Sequence, residues 1–272
     1  MSTVTIVEPM GVPATIAMSI PTSAPQIERM AAQMVTPRKL RQTRIAPNAG
    51  MTKDLTITFD DSEWVWGVNR GNFVFTNATD HLIIAMRGKG LKLAPDAGTT
   101  FETQVPFVGA GGFQNIGAGT VKFAADTYKF GGTCYAADGA TIDLSTAGAV
   151  TGAAFGGAGV VSGASFSGAT RVVLDAADDW TADEVPTFSG CNLSAATLVV
   201  DYGRTAENPL DGEMPKQGIL VAKLVGCTGT PRFRLKTSTT GLRGLGATFT
   251  VDPTTGEVRM SVDRRGSIFI FR

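Results

Sequence analysis

Histidine occurs once in the 272 residues, at His81, and cysteine three times, at Cys134, Cys191 and Cys227. Any Ser-His-Asp site would have to use the one histidine, in "NATDHLII", where it stands beside a strand start and reads as turn-facing and structural. The cysteines are odd in number, far apart and form no Cys-x-x-Cys pair, so they signal neither a zinc site nor a disulfide framework; they read as small buried hydrophobes. Net charge is missing too. The 24 basic residues balance 24 acidic ones, leaving no global field to attract nucleic acid or anionic lipid. No apolar run approaches the ~18 residues that signal a spanning helix. The start, "MSTVTIVEPMGVPATIAMSIPTSAPQ", has no basic stretch before an apolar one and is broken by Pro9, Pro13, Pro21 and Pro25, so it does not read as a secretory leader. The expectation is a chain that is cytosolic, exported by another route, or lacking its true N-terminus. No Gly-x-Ser-x-Gly elbow is present, and the glycines from Gly109 onward are not followed by Gly-Lys-Ser/Thr or a helical pattern, which argues against a nucleotide loop.

What the chain does have is glycine, 33 residues of it, with 43% hydrophobic and only 18% charged residues. That composition suits a folded chain of many short strands and tight turns. Residues 1–50 stand apart. After the Pro-rich start, "QIERMAAQMV" spaces Ile27, Met30, Ala31 and Met34 as a short helix would, and Arg29, Arg38, Lys39, Arg41 and Arg44 form a basic stretch without interleaved aromatics. This segment reads as a solvated, poorly ordered arm.

From Asp54 the period changes to two. "DLTITFD", "NFVFT", "HLIIAM", "GTVKFAA", "ATIDLST", "TRVVLDA", "ATLVVDY", "GILVAKLV" and "PRFRLKT" all read as strands, nearly all bounded by Gly, Asn, Asp or Pro. Their spacing is more informative. Val121 and Phe123 correspond to Ile142 and Leu144 after 21 residues; Val172 to Leu198 is 26, and Leu198 to Leu220 is 22. A hairpin meander would repeat every ~8–12 residues, whereas steps above ~20 point to stacked units. The expected fold is all-β: a single-stranded parallel β-helix (solenoid) over 51–230, in which each rung covers its neighbour's apolar face and small Ala, Thr and Val residues stack inside. In "ATFTVDPTTGEVRMSV", Phe249 and Val251 face Val258 and Met260 across the turn Asp252–Gly256, giving an antiparallel hairpin cap within 231–272, and "GSIFIFR" could add a strand.

The segment "GAGGFQNIGAGTVKFAADTYKFGGTCYAADGATIDL" carries Gly109, Gly111 and Gly112; Gly117, Gly119 and Thr120; Tyr128, Gly131, Gly132 and Thr133; and Gly139. In that order and spacing it resembles the autotransporter-associated β-strand repeat, also called the passenger-associated transport repeat, with one extra residue between Tyr128 and the glycine pair. The resemblance covers residues 109–148. It implies a right-handed β-helix in a bacterial surface or secreted passenger, structural or adhesive, with no cofactor. Members of that family usually carry several copies, a signal peptide and a C-terminal barrel; this chain shows one clear copy and reads as a fragment, a small free-standing relative, or a protein exported differently.

Enzymes on β-helices need only acids and bases, so carboxylates beside tryptophan are candidate sites. Asp60, Asp61 and Glu63 precede Trp64 and Trp66; Asp175, Asp178 and Asp179 precede Trp180. The second group is the candidate glycan or ion contact, although its spacing matches no standard Ca²⁺ loop. Both groups also fit polar turns beside a packed aromatic. The leading expectation is a non-enzymatic module that presents Thr, Ser and Asp ladders to a glycan or cell-surface protein, with no nucleic acid partner, no membrane span within the chain and an open oligomeric state. The alternatives are a carbohydrate-active β-helix enzyme, a lyase or glycosidase, and a phage tail-spike or fibre segment.

Overall fold

The computed structural model describes residues 3–6, 55–64, 72–75, 82–174, 184–202, 218–236 and 245–264. Every regular element among them is a strand. In chain order these are β1 (Thr3–Ile6), β2 (Leu55–Trp64), β3 (Phe73–Phe75), β4 (Leu82–Leu93), β5 (Thr100–Thr103), β6 (Phe107–Gly109) and β7 (Phe113–Asn115). Then come β8 (Thr120–Phe123), β9 (Tyr128–Phe130), β10 (Thr133–Ala136), β11 (Thr141–Asp143), β12 (Ala149–Thr151), β13 (Ala154–Gly156) and β14 (Val160–Ser162). The series closes with β15 (Ser165–Leu174), β16 (Thr187–Ser189), β17 (Asn192–Tyr202), β18 (Ile219–Val225), β19 (Arg232–Leu235), β20 (Leu245–Val251) and β21 (Glu257–Arg264).

From β2 to β19 the chain alternates between two sheets, and within each sheet the successive strands run parallel. One sheet orders β2-β4-β7-β10-β13-β15-β17-β19; the other orders β3-β5-β8-β11-β14-β16-β18. Parallel neighbours cannot be joined by a hairpin, so every return to a sheet must cross over through the other one. The result is an all-β stack of parallel strands, compatible with a β-solenoid. The first sheet also divides. Ile84–Met86 of β4 pair with β6, which passes on to β9, while Leu91–Leu93 pair with β7. The two columns meet again on β15, whose start pairs with β12 and whose end pairs with β13. Between the halves of β4, Gly90 takes φ +71° at a point where a Cβ would overlap the Gly112 backbone; only glycine fits there.

The 21-residue step is a direct pairing: Val121 lies beside Ile142, and in the other sheet Phe113 lies beside Cys134 and Cys134 beside Phe155. The other two expected steps need correction. Val172 pairs with Val200, and Leu198 pairs with Thr170. An error of two preserves which side chains point inward, so alternation alone cannot detect it. Leu198 and Leu220 are in different sheets; Leu198 stacks on Phe233, while Leu220 is in β18, which pairs with β16.

The expectation of an interior of small residues is also overturned. Phe101, Phe107, Phe113, Phe123, Phe155 and Phe188 are fully buried. Inward columns mix large and small side chains: Leu91, Phe113, Cys134, Phe155, Val172 and Val200 in one sheet; Phe101, Val121, Ile142, Val161 and Phe188 in the other. Strands lie about 4.8 Å apart, which is too close for rings to repeat at every level without stacking flat. Instead the rings interleave edge-on, with centroids 5.3 Å apart for Phe107 and Phe123, 5.5 Å for Phe113 and Phe123, and 5.7 Å for Phe166 and Phe188. Where Cys134 leaves room, Tyr128 and Phe130 of β9 pack beside it, their own rings 4.4 Å apart.

Turns are held by buried polar groups. The Asn115 side chain is fully buried, and its amide donates to the carbonyls of Gly119 (3.0 Å) and Thr141 (2.9 Å), while its Oδ1 accepts from the Gly117 N–H (3.3 Å). One residue thus fastens its own turn to the next rung.

Both ends of the stack carry antiparallel strands. The hairpin has the expected register, Phe249 beside Met260 and Val251 beside Val258, and β21 adds antiparallel to β18. Asp252 closes the turn, accepting from the Thr254 (2.7 Å) and Thr255 (3.2 Å) N–H groups. At the other end β1 pairs antiparallel with β2. The arm was expected to be poorly ordered, yet its "TVTI" is an alternating β-branched run suited to an edge strand. The expected helix at "QIERMAAQMV", the basic stretch and "GSIFIFR" lie outside the described residues.

Candidate functional site: a glycine-floored groove

On the outer face of β7, β10, β13 and β15 lies an open groove of about 460 Å³. Its floor is backbone, because Gly88, Gly112, Gly131, Gly132 and Gly156 have no side chains to fill it. Register explains the walls. Gln114, Tyr135, Gly156, Val173 and Asp201 form one outward column, and Thr133, Ala154, Arg171 and Val199 form the next. Gly157 lets the Tyr135 ring lie down on the following rung; a Cβ there would be 2.9 Å from the ring.

Arg171 is the cationic group of the groove. Its Nη2 donates to the Gly131 carbonyl, two rungs back, at 3.3 Å, and its Nη1 is 3.8 Å from Asp201 Oδ2 on the next rung. The same carboxylate oxygen accepts from Lys236 Nζ at 2.7 Å. Two cations share one anion, so the cluster retains a positive charge beside the groove. The pairs are too exposed to contribute much stability, about 1 kcal/mol or less each. Their effect is to fix the direction of the guanidinium. The lining offers amide, hydroxyl, phenol and guanidinium hydrogen-bonding groups next to an aromatic face, and includes no Asp or Glu. Such a surface can hold a hydroxyl-rich or anionic ligand by hydrogen bonds and ring contact.

The described residues that line this groove include none of the candidate site residues singled out from sequence. Asp175, Asp178, Asp179, Trp180, Trp66 and His81 lie outside the described residues. Asp60, Asp61, Glu63 and Trp64 are on β2, where only the backbone is described. Arg171, Tyr135 and Gln114 were missed because outward positions follow no hydrophobic pattern, and only register brings them together. Among the described residues no cluster of three or more His, Cys, Asp or Glu could hold a metal ion, and no helix is long and apolar enough to cross a membrane.

Two buried groups lie beneath the groove. The Tyr128 hydroxyl is buried without a hydrogen-bond partner. Burial drives its phenol well above the usual range, and the adjacent Cys134 adds to the shift; burial raises the Cys134 thiol as well. Both stay neutral and act as packing groups.

The site and the stack together define the class: an all-β protein of stacked parallel strands with a polar groove on one outer face. The chain matches no family model, no curated protein and no solved structure.

Proposed function

We propose that the chain is a non-catalytic module of a right-handed parallel β-helix, passenger-like, structural or adhesive, working at a bacterial surface or outside the cell. The observation that carries the reading is the in-register run Phe113–Cys134–Phe155 at 21-residue intervals. Its first two members fall on the segment whose glycines resemble the autotransporter-associated repeat. The order of those glycines has a physical basis: Gly109 and Gly139 take positive φ, and Gly111, Gly117, Gly119 and Gly132 lie where a Cβ would meet the neighbouring rung's backbone. The rod is scaffold, and the groove around Tyr135 and Arg171 is the contact for a glycan, because its donors, ring and backbone floor suit a flat, hydroxylated chain.

The test is binding of the full chain to a glycan and polysaccharide panel. The expected result is retention of a subset of sugars, weakened at least tenfold by Arg171→Ala and by Tyr135→Ala, with the thermal melt little changed. No binding to any sugar, or binding indifferent to both substitutions, overturns the groove assignment. Sugar release abolished in an Asp175/Asp178 double variant would favour the carbohydrate-active enzyme, and a trimer in gel filtration the phage-fibre reading.

A further inference from the structure

Cys191 and Cys227 are 36 residues apart in sequence, yet they occupy the same place on successive rungs. Ser189 of β16 pairs with Val225 of β18, and three residues on, Asn192 bridges to Thr228. The cysteines fall between these partners in matching positions. Hydrogen bonds tie the two turns across the rungs: the Gly190 N–H donates to the Val225 carbonyl (2.9 Å), and the Thr228 N–H to the Cys191 carbonyl itself (2.8 Å). The side chains point the same way as well. Cys191 Sγ approaches the Val161 carbonyl one rung back at 3.5 Å, and Cys227 Sγ approaches the Phe188 carbonyl one rung back at 3.2 Å. Val161 and Phe188 are themselves register partners. Each thiol therefore points toward the preceding rung, and the rung preceding Cys227 is the one that carries Cys191. Facing positions on adjacent strands are about 4.8 Å apart, inside the Cα separation of about 4.4–6.8 Å that disulfides span.

We propose that Cys191 and Cys227 form a reversible intramolecular disulfide that clips the rung of β16 to the rung of β18. The oxidant is a low-molecular-weight disulfide of the glutathione class. Cys227 is half-buried and Cys191 buried, so Cys227 is the sulfur an oxidant reaches first. The neighbouring Cys191 thiol lowers the pKa of Cys227, and Cys227 together with burial raises that of Cys191, which gives the same order of attack. The Cys227 thiolate attacks one sulfur of the oxidant, and a glutathione thiolate leaves and takes up a proton. Cys191 then loses its proton to solvent and attacks the Cys227 sulfur of the mixed disulfide, expelling the second glutathione. Two protein thiols are oxidised by two electrons, and one small disulfide is reduced to two thiols. The location has a mechanical logic. From Phe188 to its partner Leu224 the chain makes its longest excursion between parallel-paired strands of this sheet, and the clip closes that loop beside the hydrogen bonds that tie its two turns. Cys134, buried against Tyr128, takes no part. The clip operates whatever the groove binds.

The full chain is incubated in glutathione buffers of graded redox ratio, quenched with an alkylating reagent, digested without reduction and mapped by mass spectrometry. Cys191 and Cys227 should become protected together and be recovered as one cross-linked peptide pair, with Cys134 still a thiol. Closing this loop should raise Tm by roughly 5–10 °C. In Cys191→Ala, which copies the Ala164 that precedes it in the column, oxidation should stop at a glutathione adduct on Cys227 with no rise in Tm. The proposal is overturned if both thiols remain alkylatable at the most oxidising ratio. It is equally overturned if an adduct on Cys227 persists in the unsubstituted protein, or if the cross-link joins two chains. Should Cys191→Ala fail to fold, the map of the unsubstituted protein decides alone.

Discussion

Gly131 and Gly132 are adjacent and line the same groove, yet alanine should act on them in opposite directions. A Cβ on Gly132 would overlap the carbonyl of Gly111 on the preceding rung and lie 2.9 Å from the Ala110 carbonyl oxygen. Those atoms are backbone inside a hydrogen-bonded stack, so relief requires the rungs to part. Overpacking of that kind costs about 1–3 kcal/mol. A Cβ on Gly131 meets nothing within 4 Å, and its φ is not positive. Alanine there restricts the unfolded chain without a clash and should stabilise by about 0.4–1 kcal/mol. The pair should therefore differ by roughly 1.5–4 kcal/mol, which for a chain of this size is roughly 4–12 °C in Tm. Urea unfolding of both variants beside the unsubstituted protein, with m-values compared, measures it. Equal shifts, or Gly132→Ala more stable than Gly131→Ala, would refute the idea that rungs meet backbone to backbone at this corner.

Two further predictions follow from the core and the cap. Phe155→Ala removes a fully buried ring that meets Tyr128, Phe166 and Phe188 at centroid distances of 6.2, 5.5 and 6.0 Å, and should cost about 3–5 kcal/mol in chemical denaturation, against within ~0.5 kcal/mol for the exposed Val251→Ala. The Asp252 carboxyl is held below its ordinary value by the N–H groups of Thr254 and Thr255. A lowered folded pKa means that its contribution is present above the unfolded value and is lost as pH falls through the folded one; Asp252→Ala should remove that step from the acid limb of a stability–pH profile, and an unchanged profile would count against the turn's role.

Much of the architecture was legible because burial writes itself into alternation. The nine runs read as strands all fall on strands, and the hairpin register follows from Phe249, Val251 and a five-residue turn. What escaped was short or relational. β6, β9 and β12 have three residues each, too few for any period to show, and with them the division of the first sheet was lost. The aromatic interior was misjudged because Phe107, Phe113 and Phe123 stand well apart in sequence and meet only through the winding. The register of Val172 was missed by two because parity survives that slip. Arg171 with Asp201, and Cys191 with Cys227, are pairs made solely by register, and the residues between them hold no hint of it. The glycines of 109–148 marked the right segment, but their separate reasons, a positive φ at Gly139 and a close approach at Gly132, could be assigned only from backbone geometry.

The uneven mixture of bulky and slight side chains up each inner column makes every storey of this tower an individual. Phe113 and Phe155 are each followed by a slighter side chain, Cys134 and Val172, so a tandem duplication of a single 21-residue unit would set like upon like and leave one floor swollen and another hollow. The length of such a rod is written into the order of its storeys, because each level is fitted to the two it touches.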